Sequence, residues 1–236
     1  MNIFLAGAGG VIGRQLVPLL LKAGHTVTGT TRTANKTDAI AALGATPVVV
    51  DVFDAEALRA AVGMSAPDAI VHQLTDLPFA PGTPRYAEGQ ARNARLRIEG
   101  TRNLVAAARE ARVKRLIAQS VAFIYAPGEG LRTESDPLNP DPAAATTVNA
   151  VRVLENEALS LPEGIVLRYG LLYGPGTWSP DKPIRPPSIH VVAAAQACLR
   201  ALENGQPGIY NLAEDDGYCS SDKAKRDFGF DAAFRR

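Results

Sequence analysis

Cysteine is scarce: Cys198 and Cys219 are the only two in the chain, and they stand in no metal-ligand spacing. That excludes a disulfide framework and a thiolate metal centre. An excess of one charge is lacking too. The 25 Lys and Arg against 24 Asp and Glu leave a formal net charge of +1, so no nucleic-acid footprint and no polybasic membrane patch is expected. No apolar run approaches the about 20 residues that cross a bilayer. The apolar start lacks a basic flank and is consumed by a strand, so it is not expected to be a signal peptide. A cytoplasmic protein is the default expectation. At 236 residues the length favours one domain, or one with a small appendage.

What the chain does have is a strongly patterned beginning. Asn2-Ile3-Phe4-Leu5-Ala6 is a short apolar run suited to a strand buried on both faces. Gly7-Ala8-Gly9-Gly10-Val11-Ile12-Gly13 follows, then an apolar-periodic stretch closed by Gly24, which reads as a helix. Residues 26–31 return as a second strand. Strand, glycine-rich turn, helix and strand in this order predict a dinucleotide-binding βαβ unit. Gly7 would let the chain turn out of the strand, Gly10 would admit a pyrophosphate, and Gly13 would let helix and sheet pack closely. The start of the helix, at Val11, Ile12 and Gly13, offers unpaired N–H groups to the phosphates.

The end of the second strand selects the cofactor in such units. An acid there bonds the 2′-hydroxyl of NAD, whereas an arginine accommodates the 2′-phosphate of NADP. This chain has Thr31-Arg32, and Arg14 directly after the last glycine. Two guanidinium groups flanking one phosphate would be a favourable charge-assisted geometry. NADP is the expected cofactor, with NAD possible.

The spacing Gly-x-x-Gly-x-x-Gly resembles that of the extended and atypical short-chain dehydrogenase/reductases, the NAD-dependent epimerase/dehydratase family. Further pieces carry the resemblance. Gly100-Thr101-Arg102-Asn103-Leu104 looks like the family's G-T-x-N-L, although Arg97 stands where an Asn is usual three residues before that glycine. Residues 164–176 contain Leu167-Arg168 and Tyr173-Gly174-Pro175-Gly176, similar to the family's L-R-x-x-x-x-Y-G-P-G. Residues 188–195, 208–212 and 220–230 resemble its later landmarks, with Val192 and Ala193 replacing two aspartates. The resemblance implies that Asp51 and Val52 approach the adenine. It implies that Leu74 and Thr75 line the cofactor path, and that Tyr169 lies near the nicotinamide end. Asp54 fits a helix N-cap better than a ligand. His72, within an expected strand over 68–75, is read as a packed residue. A loop over 79–91 is expected to border the substrate pocket, followed by a helix over 90–112.

The family's catalytic pair is a Tyr-x-x-x-Lys, in which the lysine lowers the phenol's pKa. Four residues after Tyr86, Tyr125, Tyr169, Tyr173, Tyr210 and Tyr218 come Gln90, Glu129, Tyr173, Thr177, Glu214 and Asp222. None is Lys. Aligning Glu155 or Glu157 with the family's glutamate puts Thr147 or Asn149 at the Tyr position, and Val151 or Val153 at the Lys position. Ser120 stands one residue before the usual serine position. Three readings stay open. One is an enzyme in which Tyr125, Tyr169 or water supplies the proton. The second is a non-catalytic NADP(H)-binding sensor or partner-binding protein. The third is a lyase or isomerase on the same fold. Ser120 and Tyr125 are the catalytic candidates, Ser120 being expected beside the cofactor too; a structural role for Tyr125, its phenol bonded to backbone, is the stronger of its two readings.

The expected fold is α/β: a doubly wound, mainly parallel Rossmann sheet with helices on both faces and right-handed crossovers. A cofactor domain over 1–165 and a reduced substrate-side lobe over 166–236 are expected to form one structural unit. The lobe is to cover the carboxyl edge of the strands. Residues 178–187 are too short and proline-rich to build a nucleotide-sugar pocket, so a small-molecule substrate is expected. The resemblance also implies a possible homodimer through helices after the fourth and fifth strands.

Overall fold

The computed structural model describes residues 1–77 and 82–235. Its centre is β1 (Asn2–Ala6), of which Ile3, Phe4 and Leu5 are fully buried. Successive side chains of a strand point to opposite faces. Ile3 and Leu5 therefore join the core beneath one helical layer, and Phe4 and Ala6 join the core beneath the other. This is why the strand shows no polar alternation.

β1 pairs in parallel with β2 (Thr26–Thr31) and with β4 (Ala69–His72). Outward from these lie β3 (Thr46–Val49) on one side, and β5 (Arg115–Val121), β6 (Glu163–Tyr169) and β9 (Gly208–Leu212) on the other. The sheet order is β3-β2-β1-β4-β5-β6-β9, with every pairing parallel. The strand order reverses between β1 and β4. At such a switch point the outgoing connections diverge and leave a crevice at the carboxyl ends.

Helix α1 (Gly13–Lys22) packs on α7 (Val191–Asn204) over one face of the sheet, and the short α2 (Thr37–Ala41) packs on β3. On the other face lie α3 (Ala55–Ser65), α5 (Thr101–Glu110) and α6 (Ala145–Leu159). α1 ends as its sequence demands. Gly24 takes a φ of +84°, its amide donates to the Leu21 carbonyl, and the His25 amide donates to the Leu20 carbonyl. These two bonds satisfy the last turn as a Schellman cap. Asp54 caps α3, accepting the Ala57 amide at 3.0 Å.

Two elements depart from the pattern expected of the sequence. The fourth strand ends at His72 rather than at residue 75. The long helix begins earlier than residue 90: α4 (Tyr86–Arg95) runs through a π-turn (Leu96–Gly100) into α5. Prolines and glycines before Tyr86 suggest a longer loop than the chain forms, and part of that expected loop, 78–81, lies outside the described residues.

The boundary expected at residue 165 falls inside β6. Most of the remaining chain rejoins the main layers through α7, β9 and α8 (Asp222–Phe228). What stands apart is a two-stranded parallel pair, β7 (Leu171–Tyr173) with β8 (Ser188–His190), and the segment between them. Among the described residues no helix is long and apolar enough to cross a membrane.

Candidate cofactor crevice and adjoining polar centre

The turn after β1 is shaped by two close approaches. Gly7 has a φ of +101°, and a Cβ there would lie 2.8 Å from the Gln73 backbone. A Cβ on Gly13 would lie 2.2 Å from the Gly7 carbonyl oxygen, so α1 starts pressed against the turn. A Cβ on Gly9, by contrast, would meet nothing within 4 Å among the described residues. The Gly10 amide donates to the Gly7 carbonyl and the Arg14 amide to the Gly10 carbonyl, both at 3.0 Å. The amides of Val11, Ile12 and Gly13 make no backbone hydrogen bond among the described residues. α1 also has no acidic residue in its first turn and no side-chain cap. Unpaired donors, a positive dipole end and open space above Gly9 together make this turn favourable to an anion.

A crevice of about 190 Å³ opens beside this turn. Val50, Val52, Leu58 and Leu96 give it an apolar side suited to a flat base, and Arg32, Lys36 and Asp76 give it a charged rim. Gly7, Gly9, Gly10, Leu74 and Thr75 complete the lining among the residues expected there. Lys36 and Asp76 are additions that sequence reasoning missed. Lys36 lies four positions beyond Arg32, a spacing that was the available signal. Asp76 accepts two bonds from Arg92, at 3.0 and 3.1 Å, and pairs with Arg32 at 3.6 Å. Its amide donates to Asn93.

Other expected cofactor residues have different neighbours. The Arg14 guanidinium lies against Gly176, where a Cβ would come within 2.9 Å of it, while Arg32 turns to Asp76. Asp51 accepts the Phe53 amide at 3.0 Å and does not line the crevice. Val52 does line it, and its carbonyl accepts from Asn103, which gives the G-T-x-N-L asparagine a structural task.

A second polar centre lies at the carboxyl ends of β5 and β6. Glu155 on α6 accepts from Ser120 Oγ at 2.7 Å, and from Arg168 Nε and Nη2 at 2.8 and 2.7 Å. Arg168 also donates to the Tyr125 hydroxyl at 2.8 Å, and that hydroxyl donates to Asn211 Oδ1 at 2.6 Å. The two catalytic candidates are thus brought into one buried network. Burial pushes the Tyr125 phenol up to about 12, against the pull of the Arg168 cation. Tyr169 is on the opposite face of β6. Its phenol is buried beside Cys198 and Gln73 and held well above its ordinary pKa by burial.

His72 and His190 are packed rather than poised. His72 is driven down to about 4 by burial and then by the Arg97 charge. Its Nδ1 faces the Leu74 amide at 3.3 Å and its Nε2 faces Thr101 Oγ1 at 3.1 Å, so the neutral ring accepts from the first and donates to the second. His190 caps α7 by accepting the Val192 amide, and it meets Tyr173 edge-on with centroids 5.1 Å apart. No group of three potential metal ligands occurs among the described residues.

Residues 7–204 match the NAD(P)H-binding family. Over 182 residues the chain is 46% identical to a 3-diazoavenalumate denitrifying reductase from a Streptomyces species, covering 75% of this chain and 58% of that protein. Over 146 residues it is 32% identical to a 4-hydroxy-2-methyl-3-oxo-4-farnesyl-3,4-dihydroquinoline-1-oxide ketoreductase from Stigmatella aurantiaca, covering 61% of this chain and 41% of that one. The chain thus spans roughly half the length of these relatives. Its fold is shared with UDP-glucose 4-epimerase of Thermus thermophilus in complex with NAD, at a TM-score of 0.73 and 23% identity, covering 92% of this chain and 79% of that one. With the glycine turn, the crevice beside it and the parallel sheet all in place, the chain belongs to the NAD(P)H-binding family, with the fold of the epimerase/dehydratase-type short-chain dehydrogenase/reductases.

Proposed function

We propose that the chain is an NADP-dependent reductase acting on a small substrate at the carboxyl edge of β4, β5 and β6. The crevice carries this reading: unpaired amides at the start of α1, room above Gly9, and two cations, Arg32 and Lys36, at and after the end of β2. The amides and the helix end would hold the diphosphate, Val50, Val52, Leu58 and Leu96 the base, and Arg32 with Lys36 the 2′-phosphate. Bound NADPH supplies a hydride, which is the cofactor's own chemistry. The protein's share is to orient it, exclude water and accommodate the acceptor.

The proton is the harder half. Glu155 is buried against Arg168, whereas Glu157 meets Arg102 at the surface. This supports the register that places Thr147 and Val151 where the family carries its Tyr and Lys. Val151 is fully buried with Val121, Ile124 and Val148, and it cannot move a proton. Tyr125 and Tyr169, both raised by burial, are poor proton carriers at neutral pH. The reading that fits is an acceptor electron-poor enough to take a hydride without concerted protonation, or one protonated by water. A diazo group is of the first kind, and the relative named for 3-diazoavenalumate supports a reductase of this type.

A second reading, an NADP(H)-binding protein without turnover, is favoured by one observation: Ser120 and Tyr125 are both engaged in the Glu155–Arg168 network. The test titrates the protein with NADPH and NADH by cofactor fluorescence. It then follows NADPH oxidation with a panel of ketones, aldehydes, iminium ions and aryldiazonium salts. Oxidation by one class supports the reductase. Binding without oxidation by any class replaces it with the second reading, and absence of binding overturns both.

A further inference from the structure

Arg97 is 8% exposed, and no hydrogen bond or ion pair joins its side chain to a described residue. Its charged and polar neighbours are Glu155, Tyr86 and His72. The Glu155 charge favours the cation from a distance, but none of the three makes a hydrogen bond or ion pair with it. The two oxygens of Glu155 already take three bonds from Ser120 and Arg168. His72 is neutral and engaged with Thr101 and Leu74. Tyr86 is engaged with Gln90. Its nitrogens are not among the fully enclosed, unpartnered polar atoms, so the fork keeps a narrow path to solvent. A guanidinium held this deep with no close acceptor among the described residues is costly for a folded chain, and arginine is seldom placed this way unless something pairs with it.

The position is as unusual as the burial. Arg97 lies in the π-turn between α4 and α5, an inserted turn of the sort often found at functional sites. Leu96, its neighbour in the chain, lines the cofactor crevice. His72 ends β4, and Ser120, bonded to Glu155, is near the end of β5. The cation therefore stands at the carboxyl edge, next in the chain to a crevice residue and within electrostatic reach of Glu155. Burial draws its pKa down to about 10, so it stays a cation at neutral pH and can donate but not serve as an acid.

We propose that Arg97 is an anion-binding residue of the substrate site, holding a carboxylate of the substrate by a charge-assisted, two-point contact. Its planar fork of donors matches a carboxylate. The cofactor's diphosphate is served at the start of α1, beside β1, whereas Arg97 belongs to the β4–β5 side. This inference rests on the reductase reading for the identity of the site, but not for the presence of an anion there.

The test compares wild type with Arg97→Met and Arg97→Lys in three measurements. The first is thermal unfolding of the free protein. The second is NADPH titration by fluorescence. The third is protection of the NADP⁺ complex against unfolding by formate, acetate and benzoate, with chloride holding the ionic strength. The expected result is that Arg97→Met unfolds at or above the wild-type temperature and binds NADPH as wild type does. Carboxylate protection should weaken in it by roughly tenfold or more and be retained in part by Arg97→Lys. Unfolding of Arg97→Met well below wild type would make the residue a structural strut. Loss of NADPH affinity with carboxylate protection intact would assign the anion to the cofactor. No protection of the wild type by any of the three carboxylates also overturns the proposal. If wild type fails to bind NADPH, the reductase reading falls, and the carboxylate titration on free protein decides the anion site by itself.

Discussion

Arg168 and Glu155 make a two-point ion pair, with contacts of 2.7 and 2.8 Å and both side chains about one-twentieth exposed. The pair ties α6 to β6. Through Ser120, Tyr125 and Asn211 it also reaches β5, the segment after it, and β9. Removing one member strands the other charge in the core, which typically costs roughly 3–5 kcal/mol. Glu155→Gln and Arg168→Met should therefore each lower the urea midpoint strongly, and the double replacement by leucines should recover part of the loss. Single variants within about 1 kcal/mol of wild type would show that the pair is not a structural hub.

His72 gives the protein an acid limit. Its ring charges near 6.5 in the unfolded chain but only near 4 when folded. Between these values the unfolded state holds the extra proton, so acid favours unfolding. Stability should be full above about pH 6.5 and fall by roughly 3 kcal/mol as pH drops toward 4. Urea unfolding across this window should show that slope in wild type and a flatter one in His72→Asn. Parallel slopes would place the acid sensitivity elsewhere.

The glycines of the first turn should separate folding from binding. Gly13→Ala forces a Cβ to within 2.2 Å of the Gly7 carbonyl, so it should lower both stability and NADPH affinity. Gly9→Ala meets only open space in the free protein. Its melting temperature should match wild type, while NADPH binding weakens because the methyl group occupies the phosphate's approach. If Gly9→Ala binds NADPH normally, the diphosphate lies elsewhere.

The opening βαβ unit is legible in the chain because each of its signals is local: an apolar run, spaced glycines, and a glycine that closes the helix. The charge pairing is not, because it joins residues far apart in sequence. Glu155 and Glu157 are equivalent on paper, and only the proximity of Arg168 across the α6–β6 turn tells them apart. Asp76 is invisible for the same reason, since its importance comes from Arg92 on the following helix and Arg32 just past the end of β2. Arg97 is visible as a departure from the family pattern, but its burial without a partner among the described residues goes with a π-turn that no periodicity announces.

Tyr125 links the two readings of function. Its hydroxyl accepts from Arg168 and donates to Asn211, which leaves no proton directed at a ligand. Tyr125→Phe should destabilise the fold by about 1–2 kcal/mol through the lost bonds, and should leave the pH profile of NADPH oxidation unchanged. An acid limb that disappears in this variant would return Tyr125 to the role of proton donor.

On the proposed reading cofactor choice rests on Arg32, and Asp76 makes its test sharper. Among the described residues the Arg32 guanidinium has one ion pair, the 3.6 Å contact with Asp76, and it is half exposed, so this pair contributes little. Asp76 is held more firmly by Arg92, which leaves Arg32 free to turn toward a phosphate. Arg32→Asp should therefore weaken NADPH by roughly tenfold to a hundredfold, with a much smaller effect on NADH. Asp76→Asn acts in the opposite direction. It removes the competing carboxylate from the rim and should tighten NADPH relative to NADH, at a small loss of stability from the Arg92 pair. Fluorescence titrations of both variants with both cofactors decide the matter. Equal loss of NADPH and NADH in Arg32→Asp would mean that the arginine serves the general charge of the crevice, and the 2′-phosphate assignment would pass to Lys36.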